Sequence, residues 1–363
     1  MTDFKAKLRW SFLPFAMIYG LGVSIRNRLF DFKIFKSVSF DIPVICVGNI
    51  STGGTGKTPH VEYLVDLLRE EFHLATLSRG YKRKSKGFII ADEKSTISDI
   101  GDEPRQILHK FPKIKVIVDK DRVHAVKKLM DKYDDLQLII LDDGYQHRKI
   151  KPGLSILLID YNRPITRDYL LPVGDLRERA WRKNRANLII VSKTPENFRP
   201  IDRRIMEKEL DIFPYQSLFF TSFENGSPIP LFRKQKPCKK LDKDTRILLI
   251  TGIAMPGPLV SFLKEKTGHI IHLKFPDHYD FREKDFRNII DTFSGIRENK
   301  YIFTTEKDAM RLLDSKYCHM LENLPVFYIP VRIKFLDEEN QRYFNKIVFN
   351  YVRTNKRHSR LHI

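Results

Sequence analysis

Hydrophobic residues fall into short, uninterrupted runs from residue 44 onward, and amphipathic stretches lie between the runs. The runs are rich in β-branched side chains and do not alternate with polar residues, so each predicts a strand covered on both faces. Such strands, alternating with helices, are typical of an α/β fold in which a parallel sheet has helices on both faces. The predicted strands before residue 195 are 44–47, 75–77, 115–118, 138–141, 156–159 and 188–191.

A second series of hydrophobic runs follows a stretch, 195–237, in which the pattern weakens while prolines and charged residues accumulate. This change predicts the crossing into a second, smaller α/β domain. The length of 363 residues also favours two hydrophobic cores over one. The predicted strands of the second domain are 247–250, 269–273, 301–304 and 326–329, and its predicted helices are 259–266 and 286–293.

A glycine-rich segment joins the first strand to a helix whose apolar positions recur at helical spacing. In a phosphate-binding loop, or P-loop, backbone N–H groups and the helix N-terminus surround phosphate oxygens. A lysine reaches the β- and γ-phosphates, and the next hydroxyl binds Mg²⁺. The strict pattern begins with Gly, whereas this segment begins with Ser. The predicted P-loop consists of Ser51, Thr52, Gly53, Gly54, Thr55, Gly56, Lys57 and Thr58.

Two adjacent carboxylates, Asp142 and Asp143, end the apolar run 138–141. Neighbouring acids at the end of a buried strand repel each other, and a Mg²⁺ ion or a retained proton would relieve that repulsion. The end of this strand is also where an acid would approach the metal of a nucleotide held by the P-loop. The pair therefore predicts a metal site, and Gln146 and His147 beyond it either meet a substrate or cap the next helix.

Other polar residues lie in loops that follow predicted strands or precede predicted helices. Asp102 and Glu103 stand before a helix, where Asp102 is either a general base or a helix-start residue that satisfies free N–H groups. His278 follows a strand of the second domain, so it is either a structural residue or one that a domain cleft brings to the phosphates. Arg177, in a turn set by Pro and Gly, suits an anionic sugar lipid.

The formal net charge of +20 implies attraction to an anionic partner, which is nucleic acid, an acidic membrane surface or a phosphorylated substrate. No nucleic-acid recognition motif is present, so no specific nucleic-acid partner is predicted. The three cysteines are widely spaced, which suggests neither a disulfide framework nor a structural zinc site. Nothing in the sequence predicts a protein partner.

Near the N-terminus, Lys and Arg residues flank an apolar stretch, 12–25, that is interrupted by Pro14, Gly20 and Gly22. The stretch is shorter than the roughly 20 apolar residues that span a bilayer, and no signal-peptide cleavage site follows it. Two interpretations remain: an interfacial helix on an anionic membrane surface, or a helix packed on its own domain.

Taken in order, the motifs resemble those of the tetraacyldisaccharide 4′-kinases of lipid A biosynthesis. The resemblance runs from about residue 43 to about residue 312, and one departure is the absence of a further Gly after Tyr81. The matching strings are VGNISTGGTGKTP, LSRGY, GDEP, LDDGYQH, LLPVGDLRE, GIAMP, FPDHYDF and TTEKDA.

This resemblance implies transfer of the γ-phosphate of ATP to the 4′-hydroxyl of a tetraacylated glucosamine disaccharide 1-phosphate, the lipid A precursor. It also implies a peripheral position at the cytoplasmic face of the bacterial inner membrane. The residues implied are Asp102 as general base, His278 as its orienting partner and Lys57 for catalysis; Thr58, Glu103, Asp142 and Asp143 for Mg²⁺; and Gln146, His147 and Arg177 for the disaccharide.

The predicted organisation is a membrane-associated helix region over 1–36, a P-loop kinase domain over 37–195, a second α/β domain over 196–348 and a basic tail over 349–363. An alternative function is a P-loop binding module, either a GTPase-like switch or a metallochaperone. The segment 191–193 suggests it, because it would sit where such proteins read a purine. However, the NKxD pattern of the first and the metal-binding cysteines of the second are missing.

Overall fold

The computed structural model describes residues 10–355. Residues 1–9, the start of the predicted membrane-associated region, and residues 356–363, the end of the predicted basic tail, lie outside the described residues. Within the described range the chain forms two sheets, one of nine strands and one of five. Each sheet has its own hydrophobic clusters.

The larger sheet is parallel except at its two edges, and its strand order is β14-β8-β7-β6-β1-β5-β2-β4-β3. The first strand therefore lies in the middle, with parallel neighbours on both sides. Its strands are β1 Val44–Gly48, β2 Leu74–Ser78, β3 Ile89–Ile90, β4 Lys115–Val118, β5 Leu138–Asp142, β6 Leu154–Asp160, β7 Leu188–Ser192, β8 Ser217–Asn225 and β14 Val331–Phe335.

Alternate residues of the central strands point into separate hydrophobic clusters on the two faces of this sheet. Ile45 and Val47 pack with one set of helices, whereas Val44 and Cys46 pack with another. This double coverage explains why the strands are uniformly apolar. The helices before residue 212, and the helix that ends the described chain, are α1 Leu13–Asp31, α2 Lys57–Leu68, α3 Ile97–Ile100, α4 Asp102–Lys110, α5 Arg122–Lys132, α6 Pro200–Leu210 and α10 Glu338–Asn355.

The smaller sheet has the order β11-β10-β12-β13-β9 and is parallel except at β9. These elements confirm the predicted second α/β unit. They are β9 Ile229–Pro230, β10 Arg246–Thr251, α7 Gly257–Lys266, β11 His269–Lys274, α8 Glu283–Ser294, β12 Lys300–Thr305, α9 Glu306–Leu313 and β13 Val326–Ile329; single-turn 3₁₀ helices occur at Ile165–Arg167 and Cys318–Leu321, and a longer one at Ala180–Arg185.

The strand pairing does not follow the predicted second domain, 196–348, because two strands within that range join the larger sheet. β8 pairs in parallel with β7, and β14 pairs antiparallel with β8, so both strands belong to the larger sheet. The helix α10 also packs there, through Phe344, Val348 and Val352. The chain thus leaves the larger sheet after β8 and returns at the neighbouring strand β14. Hydrophobic periodicity cannot show this, because it reports burial and not which sheet a strand joins.

The helix α1 lies against the loop that precedes β7. Ala16, Gly20, Asn27 and Phe30 are buried on the packed side, and a Cβ atom at Gly20 would come within 2.7 Å of Leu170 Cδ1. The opposite side exposes large apolar residues: Phe15, Met17, Ile18, Leu21 and Ile25. No helix among residues 10–355 is long and apolar enough to cross a membrane.

Candidate active site

The P-loop connects β1 to α2 at the centre of the larger sheet. Gly53 and Gly56 have φ angles of +86° and +81°, which L side chains rarely adopt. A Cβ atom at Gly56 would also clash with the ring of Phe223. The loop therefore needs glycine at these two positions, even though Ser51 replaces the first glycine of the strict pattern.

Side chains from the sheet hold the loop in place. Asn49 donates to the Thr55 hydroxyl over 3.0 Å and accepts from the Lys57 ammonium over 3.2 Å. The buried Ser192 hydroxyl donates to the Thr55 carbonyl over 2.8 Å. Ser192 is part of the segment, 191–193, that suggested a purine reader, and in the structure its hydroxyl supports the P-loop backbone. A loop fixed in this way presents its free N–H groups to an anion without further ordering.

Asp142 and Asp143 lie beside Lys57, as their position after β5 predicts. Burial, and then the neighbouring Asp143, raise the pKa of Asp142 to about 7. Burial also favours the neutral form of Asp143, but Lys57 and Arg177 outweigh it and lower the pKa of that carboxyl. The Lys57 ammonium is 3.5 Å from the Asp143 carboxylate.

These residues fit a nucleotide-bound Mg²⁺ better than a cage made by protein alone. Asp142 Oδ1 is buried and has no hydrogen-bond partner among residues 10–355, which suits a ligand atom. No group of three or more His, Cys, Asp or Glu in this part of the chain could hold a metal. Mg²⁺ keeps several waters and takes one or two carboxylates plus substrate phosphates, so the two acids and the Thr58 hydroxyl suffice.

The second domain brings His278 to Asp102, although the two residues are 176 positions apart. His278 Nδ1 is 2.5 Å from Asp102 Oδ2. Asp102 is the first residue of α4, where the helix dipole favours a negative charge. His278 has a φ angle of +60° in the loop after β11. Strain of this kind at a non-glycine residue is typical of functional sites.

Arg311 completes this pair and was missed by the sequence analysis. Its guanidinium binds Asp102 in a bidentate manner, with Nε to Oδ1 at 3.1 Å and Nη2 to Oδ2 at 2.8 Å. It also binds Asp308 at 2.7 Å. Burial disfavours the Asp102 carboxylate, but the hydrogen bonds from His278 and Arg311 lower its pKa far below the usual range. The i, i+3 spacing of Asp308 and Arg311 after TTEK signals their own pairing, but not the contact of Arg311 with Asp102.

Glu103, which the resemblance assigns to the metal, pairs instead with another residue of the second domain. Its Oε1 is 2.7 Å from Lys307 Nζ. Glu103 still acts on Asp142, because its charge contributes to the raised pKa of that carboxyl. The metal role of Glu103 stays a prediction.

Of the residues implied for the disaccharide, Gln146 and Arg177 contact each other through their side chains. Arg177 Nη1 is 3.4 Å from Gln146 Oε1 and 3.5 Å from the Asp143 carboxylate. His147 is half-buried, and burial lowers its pKa to about 4, with Arg122 adding to the effect. Its Nε2 is buried and has no hydrogen-bond partner within the described part of the chain.

The helix α1 contacts the Gln146 and Arg177 group directly. Arg26 donates to the Gln146 carbonyl over 2.7 Å, and the Tyr19 hydroxyl donates to the Arg177 carbonyl over 3.0 Å. The N-terminal helix is therefore packed on its own domain through one face, and this face reaches the candidate substrate residues. Its apolar outer face is exposed, and contact of this face with a membrane surface stays a prediction.

A P-loop beside two carboxylates, faced by an acid and histidine pair that a second domain completes, places this protein in the class of P-loop kinases. The comparison with known sequences makes the assignment specific. The chain belongs to the tetraacyldisaccharide-1-P 4′-kinase family, whose model matches residues 8–348. The predicted resemblance is thereby confirmed, and the alternative of a GTPase-like switch or metallochaperone is not retained.

Individual relatives cover almost the whole chain. The tetraacyldisaccharide 4′-kinase of Phocaeicola vulgatus is 45% identical over 356 residues, with 97% of each chain covered. That of Bacteroides thetaiotaomicron is 44% identical over 371 residues, covering 99% of this chain and 97% of the relative. Among solved structures, LpxK from Aquifex aeolicus in complex with ATP has a TM-score of 0.75 and 30% identity, covering 95% of this chain and 99% of that one.

Proposed function

We propose that this protein transfers the γ-phosphoryl group of ATP to the 4′-hydroxyl of a tetraacyldisaccharide 1-phosphate, the lipid A precursor. The observation that carries the proposal is the pairing of Asp102 with His278 at 2.5 Å across two domains, close to a P-loop. A nucleotide-binding module has no need of an acid and imidazole pair. A kinase uses one to receive the proton of the attacking hydroxyl.

The triphosphate binds to the P-loop N–H groups and to Lys57. Thr58, Asp142 and Asp143 hold Mg²⁺, with Glu103 as a further candidate, and the metal supplies neutralisation of charge on the β- and γ-phosphates when bound. Most of the acceleration in phosphoryl transfer comes from such positioning and electrostatic stabilisation. The fixed hydrogen bonds around Asn49 and Thr55 support this role, because the loop need not reorganise during the reaction.

Asp102 acts as the general base and His278 orients it. The carboxylate is held ionised by Arg311, so it is ready to accept a proton at neutral pH. In a loose transition state the proton leaves the alcohol late, and a weak, well-placed base is sufficient. Arg311 and His278 both belong to the second domain, so the base is oriented only when the two domains are together.

Gln146, His147 and Arg177 meet the disaccharide, and the exposed face of α1 lies on an anionic membrane surface. Phe15, Ile18 and Leu21 are more than half exposed on that face, and the net charge of +20 favours anionic lipid. Tyr19 and Arg26 of the same helix contact Arg177 and Gln146. These contacts support a position at the cytoplasmic face of the inner membrane, where the protein reaches its lipid substrate while the lipid stays in the bilayer.

The direct test is to incubate the protein with labelled ATP, Mg²⁺ and the tetraacyldisaccharide 1-phosphate and to look for a bisphosphorylated lipid. Lys57→Ala and Asp102→Ala are expected to abolish the product while the circular dichroism spectrum stays unchanged. Tyr215→Ala, an exposed aromatic residue outside the site, serves as the control. Failure of the wild-type protein to form the product, or wild-type rates in either variant, would refute the proposal.

A further inference from the structure

Lys307 places an ammonium group from the second domain among the acids of the phosphate site. Its Nζ is 2.7 Å from Glu103 Oε1, and its charge also acts on Asp102 and Asp142. The TTEKDA motif that contains it matched the family, but no role for its lysine followed from the sequence. The Lys307 side chain is 31% exposed, so its ammonium remains accessible to a ligand.

The backbone that carries Lys307 is firmly fixed. Lys307 is the second residue of α9, and the N-cap residue Thr305 accepts a hydrogen bond from the Asp308 amide over 3.1 Å. Asp308 also accepts from the Gly252 amide over 2.8 Å, and Arg311 one turn later binds Asp102. The flexible stem of Lys307 therefore extends from a rigid helix end, so its ammonium can exchange partners while its Cα stays in place.

The other cations of the site are engaged differently. Arg311 is committed to Asp102 and Asp308 through both edges of its guanidinium. Lys57 lies on the P-loop side, next to Asn49 and Asp143. Among residues 10–355, the ion-pair partner of Lys307 is Glu103, the same carboxylate that the resemblance assigns to the metal. If Glu103 held a divalent cation, the ammonium of Lys307 would lose that partner.

We infer that Lys307 is a second phosphate-binding cation, which leaves Glu103 when metal and nucleotide bind and then contacts the γ-phosphoryl group during transfer. This inference rests on the proposed function and adds a catalytic residue to it. Negative charge is spread over the three equatorial oxygens of the transferring group, so a second cation beside Lys57 would stabilise it further. Lys307 neutralises part of this charge and makes no covalent bond. Because Lys307 belongs to the second domain, its contact with the γ-phosphoryl group also favours the closed arrangement of the two domains.

The first experiment measures nucleotide affinity without lipid, by displacement of a fluorescent ADP analogue in the presence of Mg²⁺. In Lys307→Met the Kd for ATP is expected to rise about tenfold, the size of one charge-assisted contact, while the Kd for ADP changes less than about twofold. Lys307→Arg is expected to keep most of the preference for ATP. The matched control is Lys264→Met, an exposed lysine on α7 of the same domain. Equal changes for ATP and ADP, or none, would overturn the inference.

A second variant keeps the inference testable if Lys307→Met does not fold. Without metal, Glu103 retains Lys307 in the wild-type protein, so the preference for ATP over ADP should be weak in EDTA. Glu103→Gln removes the carboxylate charge, and it should therefore increase that preference in EDTA several-fold. No difference between Glu103→Gln and the wild type under these conditions contradicts the exchange of partners.

The third measurement separates a catalytic contact from a structural ion pair. With lipid acceptor, kcat of Lys307→Met is expected to fall about 100- to 1,000-fold, as on loss of one transition-state donor, with KM for the lipid little changed. If Lys307 and Glu103 formed only a structural ion pair, Lys307→Met would lower the melting temperature, and Glu103→Gln would lower it equally. If the wild-type protein does not phosphorylate the lipid, the proposed function fails, but the difference between ATP and ADP binding still decides the role of Lys307.

Discussion

Arg311 offers the sharpest test of how the second domain organises the site. Its side chain is 5% exposed, and it is bound to Asp102 and Asp308, whose side chains are 6% and 0% exposed. Arg311→Met keeps most of the volume and removes the charge. Two carboxylates then remain buried without their cation, and breaking a buried pair in this way costs about 3–5 kcal/mol of unfolding free energy.

The pH dependence of this loss follows from Asp102. The folded-state pKa of its carboxyl lies below the unfolded value, so its contribution to stability is present above the unfolded pKa and is lost as pH falls through the folded pKa. In Arg311→Met that contribution is absent, and protonation of the orphaned acids relieves their desolvation. The difference between wild type and variant should therefore be largest near pH 7 and should shrink toward about pH 4.

The assay is urea denaturation followed by circular dichroism, carried out for wild type and variant at both pH values. The matched control is Arg287→Met, which removes an arginine paired with Glu283 on the exposed surface of α8 and should leave the transition unchanged. A loss smaller than about 1 kcal/mol at pH 7, or an equal loss at both pH values, would refute the reasoning, because a buried ion pair cannot be replaced by a thioether without leaving its acids uncompensated. Transfer to the lipid should fall as well, since Asp102 is then no longer oriented.

Three further outcomes are expected. Gly56→Ala should abolish nucleotide binding in a titration, because its φ is +81° and Phe223 leaves no room for a Cβ atom, whereas Gly22→Ala, in open space, should bind normally. Since burial raises the folded pKa of Asp142 to about 7, metal-free protein should lose stability as pH rises from about 4 to about 7. Asp142→Asn should remove this slope of melting temperature against pH. An unaltered slope would mean that another group causes it. Ile18→Ser, at a position that is 70% exposed on α1, should reduce partition onto anionic vesicles several-fold, and unchanged partition would argue against the membrane face.

Much of the fold was predictable because the strands of a parallel sheet are buried on both faces. The runs that predicted β1, β2, β4, β5, β6 and β7 agree with the structure to within two residues at each end. The assignment of β8 and β14 to the larger sheet was not predictable. β8 lies where prolines and charges obscured the pattern, and β14, at the edge of the sheet, alternates exposed and partly exposed residues and buries only its last one. Neither strand therefore carries a strong signal of its own.

The candidate site divides in the same way. The P-loop, Asp142 and Asp143 are local in sequence, and strand, turn and helix geometry bring them together without reference to the rest of the chain. The partners of Asp102 are not local. His278 and Arg311 are 176 and 209 residues away, and no periodicity or spacing encodes a contact over that distance.

The sequence by itself therefore determined the parallel α/β architecture, the position of the phosphate loop and, through the order of its motifs, the family. Only the tertiary structure decided that Arg311 and Lys307 share the acids of the first domain, and that α1 touches Gln146 and Arg177 with one face while exposing the other. The physical reason is that local patterns record the free energy of burial and of backbone conformation, residue by residue. The pairing of charges across a cleft depends on how two separately folded sheets are placed against each other.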